Sequence, residues 1–186
     1  IPMNDAPVFD ILGDQVTNED SVTTIALTAF DPDVEMNGQT LEFSAVSNDE
    51  TLVLVSTTSG DGTGVGTLTF DVQDDQIGSA EITVSVSDGN FEYDSEVFVL
   101  TVDPVNDAPV LTEIDSQSTD EDSPQTITVS STDVDTGTGP GDENVPSYSA
   151  VSSNPGDVDV FVDGDQLTMT PSLNFHGEVT ITVTVT

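Results

Sequence analysis

Asn4-Asp5-Ala6-Pro7-Val8 returns as Asn106-Asp107-Ala108-Pro109-Val110, a shift of 102 residues (106 − 4). Glu19-Asp20 returns as Glu121-Asp122 and Asp31-x-Asp33 as Asp133-x-Asp135, both at the same shift. A chain of 186 residues that repeats at this period folds as two copies of one small unit, each with a core of its own. The shift then changes along the copy. Ala45-Val46 matches Ala150-Val151 at 105, while Leu68-Thr69 and Ile82-Thr83-Val84 match Leu167-Thr168 and Ile181-Thr182-Val183 at 99. The second copy therefore gains three residues near Thr136 to Val145. It loses six, most simply from the glycine-rich loop around Ser59 to Gly66. The copies divide in the linker, as 1–105 and 106–186.

Within each copy, apolar residues alternate with polar ones. Leu68, Phe70 and Val72 share one face of Thr67 to Val72; Ile82, Val84 and Val86 share one face of Ala80 to Ser87. Val179, Ile181, Val183 and Val185 do the same in the second copy. A period of two in runs rich in Val, Ile and Thr indicates half-buried strands, and no stretch has helical spacing. The expected fold is all-β, two tandem Greek-key β-sandwiches of immunoglobulin type, each of about 100 residues. In the first copy, strands are predicted at Val8–Ile11, Thr23–Ala29, Leu41–Val46, Leu52–Val55, Thr67–Val72, Ala80–Ser87 and Tyr93–Val102. The second copy follows this pattern as far as Thr186, which aligns with Ser87 (186 − 99) and leaves its last strand out. Either a fragment boundary removes that strand, or a neighbouring chain supplies it by donor-strand exchange. Ile1-Pro2-Met3-Asn4 aligns with Asp103-Pro104-Val105-Asn106, so the chain is expected to open inside a linker of a longer array.

The chain has no lysine and no arginine against 36 aspartates and glutamates, a formal charge of −36. No side-chain cation is available to a carboxylate except the single histidine, His176. Two carboxylates about 4 Å apart repel by roughly 4 kcal/mol at an effective dielectric near 20, so compact folding calls for salt or bound cations. Nucleic-acid binding is excluded by the same composition, because no basic group is present to hold phosphate. No apolar run is long enough to insert in a membrane, no leader-like segment opens the chain, and the absence of cysteine removes disulfides.

Sandwich topology decides which acids can meet, because successive strands run down and up. Glu19, Asp20, Asp74 and Asp75, with Asp71 nearby, fall at the base of the first copy. Asp103, Asn106 and Asp107 fall in the linker, and Asp133 and Asp135 at the top of the second copy. These offer enough oxygen for two or three calcium ions, each of which takes about six to eight oxygen ligands. At the top of the first copy, Asn4, Asp5, Asp31, Asp33 and Asp88 form half a site. The second copy offers less at its base, where Ser172 to Glu178 contains one acid. Asp61-Gly62-Thr63-Gly64 reads as a turn, and His176 as a solvent-facing loop residue. Phe43 and Tyr148 align and read as core. No glutamate pair, serine–histidine pair or cysteine site points to catalysis.

The linker Asp103-Pro104-Val105-Asn106-Asp107-Ala108-Pro109-Val110 resembles the DxNDNxP linker of cadherins. Val16-Thr17-Asn18-Glu19-Asp20 is similar to their early glutamate motif. Leu27-Thr28-Ala29-Phe30-Asp31-Pro32-Asp33 with Asn37-Gly38 is similar to their DxD…NG run, and Ser87-Asp88-Gly89 to their Asp-Gly at the end of the sixth strand. The wording of both copies is nearer still to bacterial cadherin-like tandem repeats of large secreted adhesins. Ala108 departs from the pattern where cadherins carry a second linker asparagine. Asp74-Asp75 departs where they carry Asp-x-Glu. The resemblance implies calcium (Ca2+) between domains, a stiffened rod and extracellular display on a bacterial cell surface, with neighbouring repeats of the same chain as partners. Under that reading the module is a structural extender of an adhesin, spacing a distal binding domain from the cell. Two other readings remain: a carbohydrate-binding module of an extracellular enzyme with a glycan partner, and a self-associating filament subunit. The first of these needs an aromatic platform, yet the chain has no tryptophan and two tyrosines.

Overall fold

The structure, a computed structural model, describes residues 4–34, 38–90, 93–135 and 145–186. Ile1-Pro2-Met3, Asn37 of the Asn-Gly pair and nearly all of the insertion near Thr136 to Val145 lie outside the described residues. The chain divides into two compact units, Ile1–Val105 and Asn106–Thr186.

Unit 1 contains β1 (Val8–Phe9), β2 (Gln15–Asn18), β3 (Val22–Phe30), β4 (Glu42–Ser47), β5 (Val53–Thr58), β6 (Val65–Val72), β7 (Gly78–Ser87) and β8 (Tyr93–Asp103). They form two four-stranded sheets, ordered β1-β3-β6-β5 and β2-β8-β7-β4. This is the two-sheet Greek-key sandwich that the alternation predicts. Leu68, Phe70 and Val72 of β6 are buried, as are Ala80, Ile82, Val84 and Val86 of β7. Phe98 of β8 meets Phe70 edge to face, with ring centroids 6.2 Å apart. Phe43 is core as expected, its ring 5.7 Å from that of Phe9. Each fully buried side chain of this size stabilises by roughly 1.5–3 kcal/mol relative to exposure.

The first strand differs from the expected Val8–Ile11. It is split between the sheets: β1 pairs antiparallel with β3, and β2 pairs parallel with β8. Gly13, at a φ of 66°, turns the chain between them. The amides of Leu12 and Gly13 donate to the Glu96 carboxylate at 2.8 and 3.3 Å, and Ile11 is exposed. Sequence periodicity missed β2 because Thr17 points inward while Val16 faces solvent. The glycine-rich loop is a fitted connection. Leu41 N–H donates to Gly62 O at 2.7 Å and Ala29 N–H to Gly64 O at 2.8 Å. At Gly64 φ is +97°, and a Cβ would lie 2.2 Å from the Ala29 carbonyl oxygen, so only glycine fits.

Unit 2 contains β9 (Val110–Leu111), β10 (Gln125–Thr128), β11 (Ser131–Thr132), β12 (Tyr148–Ser152), β13 (Val158–Asp163), β14 (Gln166–Pro171) and β15 (Ile181–Val185). The β10-β14-β13 sheet and the β11-β9 pair stand in place of the first sheet of unit 1. The long glycine loop is reduced to the two-residue hairpin Gly164-Asp165 between β13 and β14. β12 pairs with β15 in the same register as β4 with β7: Ala150 faces Val183 as Ala45 faces Val84. Among the described residues, β15 has β12 as its sole sheet partner. Val129, Leu167 and Met169 are buried in the core, and Tyr148 packs partly buried against them.

Candidate metal centre

In unit 1 the segment before β1, the turn after β3 and the turn after β7 come together. Asp33 N–H donates to Asp31 Oδ1 at 2.7 Å, closing an Asx turn across Pro32. Asp5 N–H donates to Asp33 Oδ2 at 2.9 Å, and Asn90 N–H to Asp88 Oδ1 at 2.7 Å. Asn4 Nδ2 donates to Asp88 Oδ2 at 2.7 Å. Gln39 Nε2 donates to Asn4 Oδ1 and reaches Asp88 Oδ2 at 3.4 Å. Backbone amides thus fix the three carboxylates in place. Asp31, Asp33 and Asp88 are 4%, 2% and 4% exposed. Asp31 Oδ2 is shielded from solvent and accepts no hydrogen bond, and neither does Gln39 Oε1.

A buried carboxylate without a counter-charge is costly, several kcal/mol even after relaxation. With no lysine or arginine in the chain, no ammonium or guanidinium side chain is available to compensate it. Asp31, Asp33 and Asp88, with amide oxygens from Asn4 and Gln39, form an all-oxygen donor set, the chemistry that suits calcium. Asp5 is exposed and enters through its backbone N–H.

At the other end of unit 1, Glu19 is 4% exposed although it is a glutamate in a loop. The exit of β8 encloses it: Glu19 N–H donates to Asp103 O at 3.0 Å, and Val105 N–H donates to Glu19 Oε1 at 2.8 Å. Asp75 N–H donates to Asp20 Oδ1 at 2.9 Å, with both residues in the left-handed region at φ of 56° and 54°. Glu19, Asp20, Asp75 and Asp103 are therefore tied to one another. Asp74 is exposed with its carbonyl taken by Gln76 Nε2, and Asp71 is an exposed residue of β6, between Val22 and Leu54 of the neighbouring strands.

Unit 2 repeats part of this geometry. Asp107 N–H donates to Asp135 Oδ2, and Asp135 N–H donates to Asp133 Oδ1 at 3.1 Å. These are the bonds of Asp5, Asp33 and Asp31 at the shift of 102. Asp135 is 8% exposed, and Asn106 Nδ2 donates to Asp107 O at 2.7 Å. At the base, Asn174 N–H donates to Asp122 Oδ1 at 2.8 Å, so Asn174 occupies the place of Asp75. Glu121, the counterpart of Glu19, is exposed.

A family model described as bacterial Ig domain matches residues 4–101 and again residues 106–186. The chain belongs to that family. Among solved structures, the human desmocollin-1 ectodomain is similar at 18% identity and a TM-score of 0.43, over 100% of this chain and 36% of that one. The surface layer protein SbsC, domains 4–9, is similar at 18% identity and a TM-score of 0.39, over 98% of this chain and 29% of that one. The SrpA adhesin of Streptococcus sanguinis is similar at 10% identity and a TM-score of 0.42, over 62% and 68%. The two bacterial Ig domains thus span about a third of the desmocollin ectodomain. Among curated proteins, none matches the chain.

Gln39 is the member of the bacterial Ig domain's upper cluster that sequence reasoning missed. It carries no charge and stands outside every motif, and its one signal is its place just after Asn37-Gly38. The Asp61 loop is a satisfied turn, with Asp61 Oδ1 accepting from Thr63 N–H at 3.1 Å and Thr63 Oγ1 at 2.6 Å. His176 is exposed, its Nδ1 3.4 Å from Asn174 O.

Proposed function

We propose that these bacterial Ig domains bind calcium through their aspartate clusters and serve as a calcium-stiffened structural spacer of a bacterial surface or secreted adhesin. The observation that carries the reading is Asp31 Oδ2, buried and unbonded beside two other buried aspartates in a chain without lysine or arginine. In this reading Asp31, Asp33 and Asp88 bind the ion, while Asp5 and Asn90 hold their carboxylates in place from the backbone. The linker residues Asp103, Asn106 and Asp107, with Glu19, Asp20, Asp75, Asp133 and Asp135, would add calcium that stiffens the joint between repeats. The module has no catalytic role. No helix among the described residues is long and apolar enough to cross a membrane, and the proposed setting is extracellular.

Calorimetric titration of the chelator-stripped chain, paired with small-angle scattering, tests this. Calcium at 100 times its dissociation constant stabilises by about 2.7 kcal/mol per site. Scattering should change from a flexible pair to a stiff one on adding calcium. Magnesium should substitute poorly, since it gives up water reluctantly. No calcium heat and an unchanged scattering profile at physiological ionic strength would refute the reading. Glycan binding by the same chain would favour a carbohydrate-binding module instead.

A further inference from the structure

Gln39 brings the two ends of one amide into the upper cluster of unit 1, and the two ends meet opposite conditions. Nε2 faces two acceptors: it donates to Asn4 Oδ1 and lies 3.4 Å from Asp88 Oδ2. Oε1 is shielded from solvent and accepts no hydrogen bond. The neighbouring amide fixes this orientation. Asn4 Nδ2 donates to Asp88 Oδ2 at 2.7 Å and lies 3.4 Å from Asp5 O, both acceptors, so Asn4 presents Oδ1 to Gln39. Asn90 Nδ2 reaches the same Oδ1 at 3.4 Å. With Gln39 turned over, Oε1 would face Asn4 Oδ1 and Asp88 Oδ2 with no hydrogen between them.

Two neutral amides thus give the buried Asp88 carboxylate the donors that an ammonium group gives in other proteins. An N–H donor and a cation use the same oxygen lone pairs, so the Gln39 bonds compete with any ion that Asp88 and Asn4 would hold. These donors do not satisfy the whole cluster, because Asp31 is 4% exposed with its Oδ2 unbonded. The glutamine amide has ends of nearly equal shape, and its terminal torsion is broad and roughly two-fold. Rotation by about 180° exchanges Nε2 and Oε1 without moving the backbone. It replaces a donor by a third oxygen beside Asn4 Oδ1 and Asp88 Oδ2, the ligand chemistry of calcium. A buried Oε1 without a donor costs stability, which weakens the hydrogen-bonded form and leaves the rotation accessible.

We propose that Gln39 is a two-state regulator of the upper cluster, an inference that rests on the calcium reading of the same residues. Nε2 holds Asn4 and Asp88 when calcium is absent, and the amide turns over on binding, so that Oε1 joins the ligands. Calcium affinity is then set partly by the Gln39 bonds that have to break.

Nuclear magnetic resonance of the full chain reads the amide directly, with the Gln39 side-chain signals assigned by their loss in Gln39→Glu. The Gln39 NH2 protons should exchange with water at least about tenfold more slowly in chelator than in saturating calcium, and the 13Cδ signal should move between the two. The Gln15 NH2 group, which donates to Leu12 O and Gly13 O at 3.1 and 3.2 Å, should exchange alike in both media. Gln39→Glu keeps the oxygen and removes the donor, so in chelator it should lower the melting temperature of unit 1 by about 4–8 °C. Its calcium dissociation constant should fall at least about tenfold, because the competing bonds are gone and an anionic oxygen is added. Calcium heat in the wild-type chain with Gln39 NH2 equally protected in both media would overturn this inference and leave the calcium reading standing. So would a Gln39→Glu chain that melts like the wild type in chelator or binds calcium more weakly. No calcium heat at all would overturn both.

Discussion

Replacing Asp31 with asparagine should change the stability of unit 1 in opposite directions with and without calcium. Asparagine keeps an oxygen at the Oδ1 position, so the 2.7 Å bond from Asp33 N–H survives and the turn is retained. The change removes one negative charge from a group of three buried aspartates. Two unit charges about 8 Å apart interact by roughly 2 kcal/mol at an effective dielectric near 20. Relief from Asp33 and Asp88, discounted by half for screening and relaxation, comes to about 2 kcal/mol. Without metal, Asp31→Asn should therefore stabilise unit 1, raising its melting temperature by about 8 °C. In saturating calcium the lost anionic ligand weakens binding by about tenfold to a hundredfold, which removes roughly 1.4–2.7 kcal/mol of linkage. The gain over wild type should then vanish or reverse. Differential scanning calorimetry of both chains, in calcium and in chelator at physiological ionic strength, reads both signs. Equal destabilisation in the two media would refute the reasoning, because Asp31 would then be a structural acceptor with no metal to lose.

Glu19→Gln keeps the acceptor for Val105 N–H, so it should be neutral in chelator and reduce the calcium-induced rise in melting temperature. The matching Glu121→Gln, at an exposed position, should shift stability by less than about 0.5 kcal/mol in either medium. Gly64→Ala drives a methyl group to 2.2 Å from Ala29 O at φ +97°, and should cost unit 1 about 3 kcal/mol by thermal unfolding while sparing unit 2. Glu96→Ala strips the acceptor from Leu12 and Gly13 N–H and should cost about 1–2 kcal/mol equally with and without calcium. Hydrogen bonds from the Thr51 side chain to Asp49, and from the Thr63 side chain to Asp61, hold both carboxyls below the ordinary value of 3.8. Both depressed groups favour the folded turns above that value, and the contribution is lost as pH falls through the lower folded values. The Thr51 and Thr63 amide resonances should titrate with midpoints under 3.8, and midpoints above it would contradict the turn geometry.

The sandwich was legible because its evidence is local and repeated. Alternation at Leu68–Phe70–Val72 and Ile82–Val84–Val86 names the buried faces directly, and the shift from 105 to 99 locates the shortened hairpin at Gly164-Asp165. The split first strand was not legible. β2 turns only Thr17 inward, and its partner is 85 residues away in parallel register, so no short-range pattern marks it. At the candidate metal centre, the motifs picked out Asp31, Asp33 and Asp88, which the fold brings together. They did not distinguish a carboxylate from an amide as the contributing group at Asp5, because both depend on how the segment before β1 approaches the Asp33 turn. Gln39 was invisible for a different reason: an uncharged side chain joins the cluster only through tertiary approach to Asn4 and Asp88.

The missing cations change what an acid does in this chain. In most proteins a partly buried carboxylate finds a lysine or arginine; here the backbone N–H takes that place. Asp94 Oδ2 accepts from Phe9 N–H at 2.9 Å, Glu96 from Leu12 and Gly13, and Asp14 Oδ1 from Val99 N–H at 2.9 Å. These acids bind the irregular first segment of unit 1 to β8, so they are structural members and more than a solvated surface. A hydrogen bond from an amide to a charged acceptor contributes about 1.5–3 kcal/mol, enough to hold a chain segment but not to neutralise a charge. That limit separates two classes of acid. Asp94, Glu96 and Asp14 remain in reach of water and need only the amide. Asp31, Asp33 and Asp88 have their amides and are buried as well, and it is their remaining charge that the proposed calcium would balance.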